Sequence, residues 1–249
     1  MLGGIVELED GFKSISEETK QKYGKEIEQI RELIFIYKYY EVSMEEYRKE
    51  EPLDILNSLV EKCYLEGMRL SGQILFLIIN GLYKNAYDSI RYIIESGIQS
   101  LYLDDRHPKS SLSTKIEIWR EIENAREYHA QSLIGKLNLG ELSEQRTRLD
   151  VEYKKLSQEI HFGHKQVLCT IEDVHETIGI PSKVNKEEII RINDSLRSTY
   201  DIFFLLMIVR FPKTKELLIK NKRFLEHINK HNLSMLKKIL NADNKKEGK

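Results

Sequence analysis

The sequence predicts an all-α protein, a single antiparallel bundle of six to eight helices. Three observations carry that prediction. Only 4 prolines and 13 glycines punctuate 249 residues, fewer breaks than a strand-rich chain with its many turns requires. Apolar residues recur three and four positions apart over long stretches, and no segment sustains the alternation of a half-buried strand. Hydrophobic residues make up 41% and charged residues 32%, which excludes both a disordered chain and a protein of many membrane spans.

A first helix is placed over about 17–49, with Ile27, Ile30, Leu33, Ile34, Tyr37 and Val42 on one stripe. Pro52 suits the first turn of a second helix that reaches Asn80. Its first half is amphipathic through Leu56, Leu59, Val60 and Cys63, and its end, ILFLII, is apolar on every side. A helix apolar all round is enclosed all round, so this one is expected at the centre. Asn80-Gly81 closes it, and a third helix over about 85–103 carries Ala86, Ile90, Ile93, Ile94, Gly97, Ile98 and Leu101 at helical spacing. The DDRHPKSS segment breaks the pattern. Ser111 or Ser113 then caps a fourth helix that includes Trp119, Ala125 and Leu133. Gly140 precedes a fifth over about 142–164, with core positions Leu149, Tyr153, Leu156 and Ile160. After a GIPSK loop, Asn185 with Glu188 three residues on has capping-box chemistry and opens a helix to Phe211, stopped by Pro212. Short helices within 216–240 complete the domain. Residues 1–16 read as an N-terminal extension, 17–240 as the bundle, and 241–249 (NADNKKEGK) as a disordered tail.

Charge and thiols bound the setting. With 39 basic and 40 acidic residues the net charge is −1, so any grip on nucleic acid has to come from a local basic face. Cys63 and Cys169 are lone thiols without CxxC spacing, as expected in a reducing compartment. No secretory signal precedes the first helix. The apolar runs 74–79 and 202–209 fall well short of the ~20 residues a membrane span needs. The expected location is the cytoplasm, with no membrane partner.

Two helices carry polar residues beside their core stripes. Asp88, Arg91 and Glu95 share one face over two turns of the third helix, and Ser157, His161 and His164 form a second row on the fifth. If the rows face each other, a guanidinium fork for a carboxylate or phosphate stands beside an imidazole that titrates near neutral pH, the parts of general acid–base work on a phosphodiester. The alternative is an exposed Arg91–Glu95 pair and a histidine satisfied at its helix end.

Other candidates are weaker. Glu172 and His175 have the E-x-x-H spacing of di-iron bundles, but no second copy exists. His227 and His231 stand four apart in a segment that reads as surface, and no third ligand accompanies His161 and His164. Neither a metal nor a cofactor is expected. The chain has no phosphate-binding GxxxxGK[ST] loop, no dinucleotide GxGxxG and no GxSxG elbow. The lysines of 213–222 read as a solvated helix face, and Tyr37, Tyr39 and Tyr40 as packing residues rather than base-stacking platforms.

The stretch from Gly81 to Glu95, with its G-x-x-x-x-A-x-x-x-x-R-x-x-x-E pattern, and the later Leu156-Ser157-x-x-x-His161 resemble a family of uncharacterised prokaryotic helical proteins. That family is in turn similar to the HEPN superfamily, whose active members are metal-independent RNases of defence and toxin systems. The likeness covers residues 77–165. It implies a HEPN-like core, RNA as substrate, pairing into a homodimer, His161 as acid/base, Lys154 or Lys155 as phosphate contacts, and Arg91, Glu95 and Ser157 as orienting groups, with His164 and Asp88 alongside. HEPN nucleases carry an arginine a few residues ahead of the catalytic histidine; here Lys154, Lys155 and Leu156 stand ahead of His161, with no arginine among them. Two readings therefore stand: a HEPN-like protein that handles nucleic acid, cleaving or degenerate, and a non-catalytic helical scaffold or adaptor in a protein complex.

Overall fold

The computed structural model describes residues 2–122, 125–161 and 184–241, the side chains of 2–10, 126, 141, 159–161 and 241 excepted. Among these residues every regular element is helical. In chain order they are α1 (Leu2–Ile34), α2 (Ile36–Glu50), α3 (Pro52–Leu56), α4 (Leu59–Ile79), α5 (Tyr83–Arg106), α6 (Leu112–Ile122), α7 (Ala130–Ile134), α8 (Arg146–His161), α9 (Lys186–Arg210), α10 (Lys213–Lys220), α11 (Lys222–Lys230) and α12 (Ser234–Asn241), with short 3-10 turns at Arg126–Tyr128 and Gly140–Gln145. None of the described helices is long and apolar enough to cross a membrane.

Three of the long helices expected from periodicity are interrupted. The first breaks at Phe35, whose amide bonds to the Glu32 carbonyl three residues back, a tighter turn that shifts the helical phase of the residues beyond it. Tyr37, Tyr40, Met44 and Tyr47 consequently face inward, while Val42, assigned to the core stripe, is 62% exposed. The helix also begins at Leu2 rather than near residue 17, with non-helical dihedrals at Tyr23. The second breaks at Asn57–Ser58. Ser58 caps α4 by accepting from the Glu61 amide at 3.3 Å, and Leu56 turns outward. The fourth is described to Ile122; Ala125 lies outside any helix, and Leu133 belongs to the separate short helix α7.

The ILFLII end of α4 is not the centre of the molecule. Ile74 and Ile78 are buried, but Phe76 is 63% exposed and Leu75, Leu77 and Ile79 only pack against the core's edge. The central helix is α9, where Ile202 to Ile208 are all at most 2% exposed. It packs against α5, α4 and α1, with α8 and α12 closing its other sides. Gly97 of α5 is what admits it: a Cβ there would lie 3.1 Å from the Phe203 ring and 3.3 Å from Leu206. Around Tyr37 the rings of Tyr64, Tyr200 and Phe204 stand 5.3–5.4 Å away, centroid to centroid, a spacing that favours tilted and edge contacts. The buried hydroxyls of two of them are satisfied, Tyr64 donating to the Tyr37 carbonyl at 2.8 Å and Tyr200 to Ser71 at 2.7 Å. Asn185 caps α9 as expected, its Oδ1 accepting from the Glu187 and Glu188 amides, although Glu188 turns to Tyr87 and Arg191 instead of closing the box.

Candidate functional site

The α5 stripe Ala86, Ile90, Ile93, Ile94, Gly97, Ile98 and Leu101 is buried as its spacing requires, which fixes the rotation of Arg91 and Glu95. Leu149, Tyr153 and Leu156 do the same for α8 and set Ser157 on the edge that faces α5. From the two polar rows, Arg91 and Glu95 of α5 stand beside Ser157 of α8. Arg91 Nε donates to Glu95 Oε1 at 2.8 Å, and the Tyr153 hydroxyl donates to the same oxygen at 2.9 Å from across the seam. One carboxylate oxygen thus ties two helices. Burial, then the Glu95 carboxylate, holds the Tyr153 hydroxyl well above the ordinary phenol range, so it remains a donor throughout the neutral range.

The space left between the rows is a void of about 10 Å³ lined by Ile90, Arg91, Ile94, Glu95, Tyr153, Leu156 and Ser157. That holds one water at most. A phosphate group does not fit beside Glu95 without parting the helices.

The remaining sequence-assigned residues divide. Asp88 is exposed and does not line the void, so it is outside the cluster. Lys154 is turned to Asp150 on its own helix, 2.6 Å away, and both it and Lys155 are exposed rather than aimed into the seam. His161 ends α8; its side chain, together with His164, Cys169, Glu172 and His175, lies outside the described residues. His227 and His231 are not at the surface: both are buried, stacked with centroids 4.4 Å apart, and His227 Nε2 sits 3.3 Å from the Leu33 carbonyl. Burial, helped by the neighbouring positive groups, keeps His231 neutral down to about 4 and lowers His227 as well. Among the described residues no three of His, Cys, Asp and Glu gather as a metal ion would need.

A second constellation escaped sequence reasoning. Asp104, near the end of α5, is enclosed and accepts from the Ser58 hydroxyl (2.6 Å), the Leu59 and Val60 amides (3.1 and 3.3 Å), Lys115 Nζ (2.8 Å) and Arg210 Nε (3.2 Å). Its charge sits against the amino end of α4, where exposed amide donors favour an anion. Lys115 is fully buried and also donates to the Asn57 carbonyl at 2.7 Å, and Arg210 reaches on to Asp54 with both terminal nitrogens. This knot joins α3, α4, α5, α6 and α9. Asp201 plays the same part in mid-α9, accepting from the Met235 and Leu236 amides at 2.7 and 2.8 Å and so fixing α12. Compared with known protein families, curated proteins and solved structures, the chain matches none.

Proposed function

We propose that the chain acts as a non-catalytic helical scaffold or adaptor, and that the Arg91–Glu95–Tyr153 cluster is a register-fixing tie between α5 and α8. The observation that carries this is the closed seam. Glu95 is shared between Arg91 and Tyr153, and the adjoining void is too small for a phosphate. Lys154, one of the two lysines that the HEPN resemblance casts as phosphate contacts, is paired with Asp150. A buried or half-buried polar tie of this kind contributes more to helix register than to net stability. In this reading the chain presents surface to other macromolecules and does no chemistry at the seam.

The second reading is a HEPN-like, metal-independent RNase of a defence or toxin type, working as a homodimer. One observation favours it: Arg91, Glu95 and Ser157 do converge, and His161 follows Ser157 by one helical turn. The separating experiment incubates wild type and His161→Ala with single-stranded RNA in EDTA. The scaffold reading expects no cleavage by either protein. Cleavage by wild type that disappears in His161→Ala overturns it in favour of the nuclease.

A further inference from the structure

A cleft of about 570 Å³ lies between the carboxyl ends of α5 and α9, floored by the Asp104 knot. Its walls are largely apolar: Leu101, Leu139, Leu142, Ile208 and Val209, with Pro108 and Pro212 at the edges. A few hundred cubic ångströms of apolar wall with a handful of polar groups is the form that small-molecule sites take. Gly140, at φ +51°, also lines the cleft, and a Cβ built there would meet nothing within 4 Å.

The polar groups select the sign of the ligand. Arg210 is the cation on the cleft floor, but its Nε donates to Asp104 and both terminal nitrogens donate to Asp54, so its fork is already filled by carboxylates. Lys115 is sealed behind Asp104 with no exposed surface. Lys215, half-buried, also lines the cleft. Asp105, by contrast, is exposed beside the cleft, and its Oδ1 receives a 3.4 Å contact from the Asn138 amide. Two long helices, α5 and α9, also end at the cleft, and the unpaired carbonyls of a helix's last turn together amount to about half a negative charge. Both ends contribute to the cleft wall, α5 through Asp104 and Asp105 and α9 through Val209 and Arg210.

We propose that this cleft binds a small organic cation, an ammonium or amidinium group on an apolar body, with the charged group at Asp105 and the α5 and α9 carbonyls and the body against Leu139, Leu142 and Val209. The site is independent of the α5–α8 seam and does not rest on the function proposed for it.

The test titrates the full chain with n-hexylammonium, 1-hexanol and hexanoate, three probes of equal length and different head group, by calorimetry and by protein-observed NMR. Hexylammonium binds saturably, hexanol about tenfold more weakly, and hexanoate without saturation. Asp105→Asn, an exposed substitution, brings the ammonium down to the alcohol. Leu142→Trp fills the recess and abolishes saturable binding of all three while the melting temperature stays within a few degrees of wild type. Hexanoate binding as well as hexylammonium, no saturable binding of any probe, or an Asp105→Asn protein that keeps the ammonium preference each overturns the proposal.

Discussion

Lys115→Met is the perturbation that weighs the Asp104 knot. The substitution keeps the length of the side chain and deletes its charge, removing the 2.8 Å contact to Asp104, which is shut away from water, and the 2.7 Å contact to the half-buried Asn57 carbonyl. Taking one partner from a buried ion pair costs about 3–5 kcal/mol when the other charge is left alone. Here Asp104 retains Arg210, the Ser58 hydroxyl and two amides, and the fold no longer has to desolvate an ammonium. The expected loss is therefore smaller, about 2–4 kcal/mol. For a chain of this size that lowers the melting temperature by roughly 5–15 °C. Guanidinium unfolding followed by far-ultraviolet circular dichroism measures it. In the Lys115→Met/Asp104→Asn double variant the combined loss falls short of the two single losses added, because neither charge is left behind without its partner. A single-variant loss under about 0.5 kcal/mol, or strict additivity, refutes the reading of Asp104 and Lys115 as a coupled buried pair.

Other close contacts set further outcomes. Gly97→Ala drives a methyl into Phe203 and Leu206 and costs about 1–3 kcal/mol in chemical unfolding, whereas Gly72→Ala on the open face of α4 meets nothing within 4 Å and stabilises by about 0.5–1 kcal/mol. His227 and His231 titrate near 6.5 when unfolded, but burial keeps them neutral in the fold, His231 down to about 4. Below 6.5 the unfolded chain therefore takes up protons that the fold refuses. Stability is flat above that pH and falls as pH drops through the window, by roughly 2 kcal/mol at about pH 5, and His231→Gln removes most of the slope in a pH series of unfolding curves. Glu32, Lys230, Arg197 and Tyr39 surround the pair and remain in place in that variant. Asp201→Asn weakens the charge that holds the amino end of α12 and costs about 1–2 kcal/mol; hydrogen exchange across residues 234–240 speeds up first.

Features set within one helix could be read from the sequence, and features set by distant partners could not. The α5 stripe and the Asn185 cap were legible because spacing and a cap residue act within one helix. The break at Phe35 was not, since neither glycine nor proline marks it and only the packing of Tyr37 and Tyr40 rewards the shifted phase. The break before α4 did carry a mark, the Ser58-x-x-Glu61 pattern of a helix start, inside what periodicity read as continuous helix. ILFLII misled because total hydrophobicity says that a segment is apolar and not that neighbours exist to cover it; α9, with Asp201 inside its run, is the enclosed helix. Arg91 and Glu95 were found by spacing, but Tyr153, counted as core, is the group that binds them across the seam. Asp104 lies three residues beyond Leu101 and so falls on the core stripe, where a carboxylate demands partners; those partners, Lys115 and Arg210, come from elements far along the chain. His227 and His231 were read as surface from their lysine and asparagine neighbours, although Phe224, His227, Ile228 and His231 fall at the spacing of a single buried face.

Glu95, shared between Arg91 and Tyr153, ties α5 to α8 across the seam. A double-mutant cycle in unfolding free energy over Glu95→Gln and Tyr153→Phe tests it most directly. The tie predicts a favourable coupling of about 0.5–1.5 kcal/mol between the two positions. A coupling indistinguishable from zero contradicts it, leaving the two side chains as neighbours that do not hold the helices together.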